Sequence, residues 1–161
     1  MKSLFYISLV FLLLSSCKEN DKSSQLNQNN QISHSMTAKE LLLEYLQNIQ
    51  DPKKEAELFA EDGAIELPYF ESVNIPPRYQ GRQQIETFIS DLLKQAPTFK
   101  FINIKVLIDT PDQVFAEYEI NTIFNGKPYK QLYMGRLVAK NGKITLLREA
   151  CNTVTIERLK N

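Results

Sequence analysis

The chain has 161 residues, of which 43% are apolar, a size and composition typical of one globular domain with one core. Its 19 basic residues balance 19 acidic ones, so it has no general attraction to nucleic acid and we expect no such partner. The single histidine, His34, and the two cysteines, Cys17 and Cys151, are too few for a multi-ligand zinc site. We therefore expect no metal and no cofactor.

The N-terminus has the pattern of an export signal. Lys2 precedes an apolar run, Leu4 to Leu14, of 11 residues, whereas a membrane-spanning helix needs about 20. The sequence Leu14-Ser15-Ser16-Cys17 resembles the lipobox of bacterial lipoproteins, which implies cleavage before Cys17 and a lipid on its thiol. Residues 1–16 are thus predicted to be a lipoprotein signal peptide. The alternative is an ordinary secretory peptide with an incidental cysteine.

A lipid on Cys17 would anchor the protein to a membrane, firmly if more than one acyl chain such as palmitate is attached. Lys18, rather than Asp, follows the cysteine, which resembles the sorting of Gram-negative lipoproteins to the outer membrane. We expect a lipid-anchored protein of the cell envelope, on the periplasmic or surface face. With Cys17 acylated, Cys151 has no intrachain partner and is interpreted as a small buried apolar residue.

The segment after the signal peptide is predicted to be a tether. Lys18 to Ser35 is rich in Ser, Asn, Gln and Lys, with only Leu26 and Ile32 apolar, so it cannot bury enough surface to fold. We assign residues 17–36 to the lipidated cysteine and a disordered tether, and 37–161 to the folded domain. His34 lies in the tether and is expected to be inert.

The first half of the domain is predicted to be mainly helical. Thr37 and Glu40 form a capping box, and apolar residues then recur at helical spacing to about Gln50. Asp51-Pro52 starts a second helix that runs to about Ala60. A turn at Asp62-Gly63, a strand at 64–68, a loop at 71–80 and a third helix at 82–95 follow.

The second half is predicted to be four strands, Phe99 to Asp109, Gln113 to Phe124, Lys127 to Ala139 and Lys143 to Arg158. Asn-Gly pairs at 125–126 and 141–142 predict tight hairpins. Helices followed by strands indicate an α+β domain with helices on one face of a curved antiparallel sheet.

This order resembles the nuclear-transport-factor-2-like superfamily, cone-shaped domains with three N-terminal helices on a curved antiparallel sheet. Local matches resemble its SnoaL-like branch, and the phenazine biosynthesis A/B proteins within it. They are Leu58 to Tyr69 at the first strand, Pro76 to Arg82 before the third helix and Arg148-Glu149-Ala150-Cys151-Asn152 near the end. The resemblance implies a pocket between sheet and helices.

Glu149 is the candidate catalytic residue. By period-two alternation it shares a strand face with Leu147 and Cys151. If that face is concave, removal from water raises the carboxyl pKa toward neutrality, where the group can donate and accept protons. In the phenazine-type resemblance the matching Glu is the general acid/base. The alternative is a structural ion pair, for example with Arg136.

The candidate ligand-binding residues surround that position. Aromatic side chains are expected to line the pocket, and Arg78, with Arg82, could bind a carboxylate at its mouth. The predicted set is Tyr69, Phe70, Arg78, Tyr118, Tyr133, Leu147 and Cys151, with Tyr129 as a further candidate. The alternatives are core or dimer-interface positions for the aromatics and a solvated loop for the arginines. Glu117 and Glu119 are interpreted as outward-facing or interfacial, and Asp62 as a turn residue.

Three functions remain open. The first is an envelope-anchored SnoaL-like lipoprotein that binds a small apolar or aromatic molecule. The second is a cofactor-free isomerase, cyclase or dehydratase with Glu149 as acid/base. The third is a non-catalytic domain that dimerises. A carboxyl group facing an open cavity without a cationic partner favours the enzyme, and a plugged pocket favours the structural domain. A homodimer through the sheet is expected from the resemblance.

Overall fold

The computed structural model describes residues 35–160, so the predicted signal peptide, Cys17, His34 and most of the tether lie outside the described residues. No helix within this range has the length and apolar content needed to cross a membrane. The elements are, in chain order, α1 (Ala38–Gln47), α2 (Pro52–Leu58), β1 (Phe59–Glu66), a 3-10 helix (Pro68–Val73), β2 (Arg78–Gln80), α3 (Arg82–Gln95), β3 (Phe101–Asp109), β4 (Gln113–Phe124), β5 (Lys127–Lys140), β6 (Lys143–Cys151) and α4 (Thr153–Lys160).

The helices begin where the sequence predicts. The Thr37 side chain accepts a hydrogen bond from the Glu40 amide at 3.3 Å, and the Glu40 carboxylate accepts one from the Thr37 amide at 2.8 Å. This capping box satisfies two amides that a helix start would otherwise leave unpaired. Asp51 caps α2 and Pro52 occupies its first turn. The apolar faces of α1 and α3 are buried against the sheet.

The strands form one mixed six-stranded sheet in the order β2-β1-β6-β5-β4-β3. Neighbouring strands are antiparallel except β1 and β6, which are parallel. The hairpins at Asn125-Gly126 and Asn141-Gly142 are confirmed, and all four residues have positive φ, as a primed turn requires. The α+β fold is thus as predicted, with a mixed rather than purely antiparallel sheet.

The boundary between α2 and β1 differs from the prediction. Helix was expected to Ala60 and a turn at Asp62-Gly63, but β1 already begins at Phe59 and contains that pair. The register moves from Phe59 opposite Ile144 to Ala64 opposite Leu146, so the Asp-Gly pair lies in a bulge and not in a turn. A Cβ on Gly63 would lie 2.6 Å from the Ile144 carbonyl oxygen, and glycine permits this approach.

The prediction for the C-terminal end of the last strand is wrong. Strand was expected from Lys143 to Arg158, but β6 ends at Cys151 and α4 follows. The Asn152 side chain accepts a hydrogen bond from the Val154 amide at 3.0 Å, which is the contact of a helix N-cap. The Gln131 side chain fixes the Asn152 backbone, donating to its carbonyl at 2.8 Å and accepting from its amide at 3.3 Å. These bonds turn the chain out of the sheet.

The loop predicted at 71–80 also contains regular structure. The 3-10 helix ends at Val73, and β2 pairs with β1 along the edge of the sheet. Side chains of the sheet alternate between a buried inner face and an exposed outer face, most regularly along β5. The inner face and the helices enclose the core.

Candidate functional site

A cavity of about 690 Å³ lies between the inner face of the sheet and the helices. Its wall is mainly apolar and aromatic, and Glu149 is part of it. The apolar lining includes Phe70, Phe88, Phe99, Phe101, Phe124, Ile156 and Leu159. One polar stripe comes from α3, which contributes Gln83, Gln84, Thr87, Asp91 and Gln95. A wall of this kind suits a small molecule with a largely apolar body.

Glu149 lies on the inner face of β6, which it shares with Leu147 as alternation along the strand predicts, and is 5% exposed. Burial raises the pKa of its carboxyl group from 4.5 to about 7, because removal from water disfavours the charged form. The Tyr118 hydroxyl donates a hydrogen bond to Oε1, and this bond lowers the pKa by a smaller amount. Both protonation states are therefore populated near neutral pH.

Gly135 makes the contact between Tyr118 and Glu149 possible. Tyr118 lies on β4 and Glu149 on β6, and β5 runs between them. Gly135 is opposite Glu149 in the β5–β6 ladder, and a Cβ there would overlap the Tyr118 hydroxyl. The missing side chain opens a passage across β5 through which the phenol reaches the carboxyl group.

The second carboxyl oxygen of Glu149 is free of hydrogen bonds from the described part of the chain. Oε2 accepts no hydrogen bond from residues 35–160, and it is not among the side-chain atoms that are sealed without a partner. Within the same range Glu149 forms no ion pair. The alternative pairing with Arg136 is therefore wrong, because Arg136 lies on the exposed face of β5. The free oxygen belongs to a residue of the cavity wall.

Tyr129 and Tyr133 form a second polar group in the wall. Their hydroxyl oxygens are 3.4 Å apart, and Gln131 Nε2 donates to Tyr129 at 3.3 Å. The bonds between Gln131 and the Asn152 backbone fix which end of the amide is the donor. The Tyr133 ring stacks on Tyr118 with centroids 6.0 Å apart, so the two tyrosines are held together.

The other predicted ligand-binding residues fall into three places. Phe70 and Tyr133 line the cavity, while Tyr118 and Leu147 are buried behind the wall. Cys151 is half-buried beside Tyr133, and burial raises the pKa of its thiol to about 12. The thiol therefore stays protonated at neutral pH, which suits a packing role rather than a nucleophile.

The remaining two predicted ligand-binding residues, Tyr69 and Arg78, lie on the surface and do not line the cavity. Tyr69 is 61% exposed, because the chain leaves the sheet after Glu66 and the 3-10 helix turns this side chain outward. Arg78 is exposed on β2 and pairs with Glu66, which also accepts a hydrogen bond from Arg148 at 2.6 Å. Arg78 is thus part of a surface ion-pair cluster. Arg82, the second arginine considered for the pocket mouth, pairs with Glu61 at 2.6 Å.

Several lining residues were not predicted. Tyr45 lies on the apolar face of the helix predicted after Thr37, and only its hydroxyl distinguishes it from its neighbours there. Ile156 and Leu159 were missed because α4 was taken for strand. Residues 35–160 contain no cluster of three or more His, Cys, Asp or Glu side chains arranged to hold a metal ion.

Comparison with known proteins agrees with this architecture. A model of the SnoaL-like domain matches residues 42–147, which is more than half of the chain. The chain belongs to the SnoaL-like family. The match begins in α1 and ends in β6, so it includes most of the elements around the cavity.

Several proteins are similar to this SnoaL-like chain. The uncharacterized protein YesE of Bacillus subtilis strain 168 is 28% identical over 111 residues, covering 67% of this chain and 75% of YesE. A Bacillus subtilis structure named as an isomerase has a TM-score of 0.67 and 26% identity, covering 75% of this chain and 90% of that one. A phenazine biosynthesis-related protein from Pseudomonas aeruginosa has a TM-score of 0.63 and 26% identity, covering 75% and 82%.

Proposed function

We propose that the SnoaL-like domain is a proton-transfer enzyme of the isomerase, cyclase or dehydratase type. Glu149 is its general acid/base, and its substrate is a small apolar or aromatic molecule. The observation that carries this proposal is a carboxyl group with one free oxygen in the wall of an apolar cavity. Proton transfer by one carboxyl group requires no cofactor.

The chemistry follows from the environment of Glu149. A pKa of about 7 lets the group accept a proton in one half of the reaction and return it in the other. In the first step a substrate C–H bond breaks, the proton moves to Oε2 and the electron pair stays on the substrate. In the second step the same proton is delivered to another atom of that substrate. The aromatic wall limits exchange of the intermediate with water.

The name of one similar protein supports the same class, since it is named as an isomerase and is 26% identical to this chain. The second, also 26% identical, is named for phenazine biosynthesis, which is a pathway and not a reaction class. The proposal does not extend to their substrates.

The test is carbon–hydrogen exchange in D₂O, followed by NMR, with 1-tetralone, 2-tetralone and 1-indanone as enolisable apolar ketones. We expect exchange above the buffer rate, and a decrease of about 10²- to 10⁴-fold in Glu149→Gln. Glu119→Gln is the matched control, because Glu119 lies on the other face of β4 from the buried Tyr118. Exchange at the buffer rate with all three ketones, or equal rates for wild type and Glu149→Gln, contradicts the proposal.

Ligand binding without chemistry is the second candidate function. The mainly apolar wall favours it, since such a surface can hold a molecule without reacting with it. Native mass spectrometry of residues 35–161 purified from cell extract would show a retained small molecule. If that molecule is recovered unchanged after incubation with wild type, and Glu149→Gln retains it equally, the domain is a binding protein.

We also propose that lipid on Cys17 anchors the protein in the cell envelope. The support is the lipobox sequence and the short apolar run before it. Labelling cells with radioactive palmitate tests this. We expect label in wild type and none in Cys17→Ser, and equal incorporation would show that the assignment is wrong.

A homodimer through the outer face of the sheet is the proposed assembly. Leu132 and Met134 are exposed on that face, with Glu119 and Lys130 beside them, which suits an interface with an apolar centre and a charged rim. Sedimentation at micromolar concentration is expected to give a dimer, and Met134→Glu a monomer. A wild-type monomer would contradict this assembly and the dimerising structural role with it.

A further inference from the structure

Tyr45 has a buried hydroxyl group without a hydrogen-bond partner in the part of the chain that the structure describes. Tyr45 lies on α1, is 2% exposed and lines the cavity. Other buried tyrosines in and behind the wall use their hydroxyl groups, since Tyr129 pairs with Tyr133 in the wall and Tyr118, behind it, donates to Glu149. The Tyr45 hydroxyl makes no hydrogen bond with any residue in the range 35–160.

This hydroxyl opens into the cavity. The only buried side-chain oxygens that are sealed without a partner in residues 35–160 belong to Glu55, so the Tyr45 oxygen is accessible. With an overall exposure of 2%, Tyr45 is accessible only through the space that it lines. A buried phenol normally has a hydrogen-bond partner, because an unpaired one has lost its water without replacement.

The ring of Tyr45 is fixed by packing alone. It meets Phe59 edge to face, with centroids 6.0 Å apart and an interplanar angle of 79°. It also packs at 6.3 Å against Phe101, whose ring in turn contacts Tyr118. Packing of the ring therefore fixes the direction of the hydroxyl group, while the hydroxyl itself stays available for a hydrogen bond to a ligand. Burial, and then the negative charge of Glu149, raise the pKa of Tyr45 well above its ordinary value, so the group remains a donor.

We propose that Tyr45 binds the substrate by donating its hydroxyl hydrogen bond to a carbonyl oxygen. This inference rests on the proposed function, because it takes the cavity as the substrate site. It specifies the substrate as an apolar carbonyl compound and assigns Tyr45 the selection of such compounds over hydrocarbons of equal shape. A hydrogen bond to the carbonyl also stabilises negative charge that develops on that oxygen when a neighbouring carbon loses a proton.

The experiment compares two probes of nearly the same shape, 9-fluorenone and fluorene, which differ by one carbonyl oxygen. Fluorenone has no hydrogen on a carbon next to its carbonyl group, so it measures binding without proton transfer. Isothermal titration with residues 35–161 is expected to show fluorenone binding about three- to tenfold tighter than fluorene. Tyr45→Phe is expected to remove that preference, and Tyr69→Phe, the same change at an exposed tyrosine, to keep it.

Two further measurements separate this role from a structural one. The infrared carbonyl stretch of bound fluorenone is expected at lower frequency in wild type than in Tyr45→Phe. The thermal midpoint of the ligand-free Tyr45→Phe protein is expected to equal or exceed that of wild type, because the change breaks no bond within residues 35–160.

Absent fluorenone binding, or a preference for fluorenone that Tyr45→Phe retains, would overturn the assignment of Tyr45. Failure of the proposed function gives a different pattern, in which fluorenone binding depends on Tyr45 while ketone exchange stays at the buffer rate. Exchange that depends on Glu149, combined with equal affinity for the two probes, overturns only the inference on Tyr45.

Discussion

The protonation of Glu149 depends on two opposing effects at one side chain. Removal from water raises the pKa of its carboxyl group, and the hydrogen bond from Tyr118 lowers it again in part. Without Tyr118 the group would stay protonated to higher pH and would be a poorer base under neutral conditions. The tyrosine therefore adjusts the pH at which Glu149 can accept a proton.

Tyr118→Phe is expected to move the pH dependence of ketone exchange upward. The rate should rise with pH as Glu149 ionises, with a midpoint near 7 in wild type. Loss of the hydrogen bond should raise that midpoint by about one to two units, since bonds to charged groups contribute about 1.5–3 kcal/mol. The pH–rate profile measures the shift, and Tyr69→Phe is the control. A midpoint that falls or stays would show that Tyr118 does not stabilise the carboxylate.

The sequence identifies Glu149 but not its partner. Alternation along one strand is sufficient to group Glu149 with Leu147 on one face of β6, and the structure shows that this face is the inner one. The contact with Tyr118 depends instead on the registers of β4 and β6 against β5, and on the glycine of β5 that lies between the two side chains. Tyr45 was not recognised because a tyrosine on an apolar helix face looks the same whether its hydroxyl faces the core or a cavity.

Among the strands, β5 determines whether Tyr118 and Glu149 can contact each other in the candidate site. It separates β4 from β6, and Gly135 is the position at which a side chain of β4 can reach across to a side chain of β6. Glycine normally weakens a strand, so its presence inside β5 costs some stability in exchange for the close approach of Tyr118.

Gly135→Ala is expected to displace Tyr118 from Glu149. The added Cβ overlaps the phenol, so the free energy of unfolding should fall by about 1–3 kcal/mol. The pH–rate midpoint should rise as it does in Tyr118→Phe. Gly126→Ala is the matched control, since this turn glycine has positive φ and no atom near its Cβ position. Gly126→Ala should lose stability through backbone strain without moving the pH–rate midpoint. If the midpoint shifts in both variants, the shift does not report a specific role of Gly135 in the contact between Tyr118 and Glu149.

Elements with strong local signals were predictable, whereas those set by distant contacts were not. The capping box of α1 and the two Asn-Gly hairpins are encoded within a few residues. The start of α4 is different, because Val154 and Thr155 are β-branched and favour strand locally. Asn152 becomes a helix cap because Gln131 of β5 binds its backbone, and this contact joins positions 21 residues apart.

The stability of the whole molecule is linked to pH through two buried carboxyl groups. Glu55 is 0% exposed, and neither of its carboxyl oxygens has a hydrogen-bond partner within the described residues. Burial, and then the nearby negative charge of Glu44, raise its pKa from 4.5 to about 8. Glu55 and Glu149 therefore both bind their proton more tightly in the folded state than in the unfolded state.

The free energy of unfolding is therefore expected to fall as pH rises. A carboxyl group with a raised pKa carries no penalty below its unfolded value of 4.5, and the penalty is complete above its folded value, about 7 for Glu149 and 8 for Glu55. The decline between these limits should be on the order of 3 kcal/mol from Glu149 and about 5 kcal/mol from Glu55. Urea unfolding from pH 4.5 to 8.5 should show the decline, and Glu55→Gln should flatten it. A stability that is constant or rises over this range would contradict the buried, neutral state of Glu55.

The parallel pairing of β1 with β6 has a consequence for how the protein is made. A ribosome releases β1 well before β6, because α3 and the strands β2 to β5 lie between them in the chain. Until β6 emerges, β1 lacks its neighbour on the central side of the sheet, and the cavity wall lacks the Glu149 carboxyl group. A nascent chain that stops short of β6 therefore has neither the complete sheet nor the candidate catalytic residue, and its unpaired β1 edge is exposed.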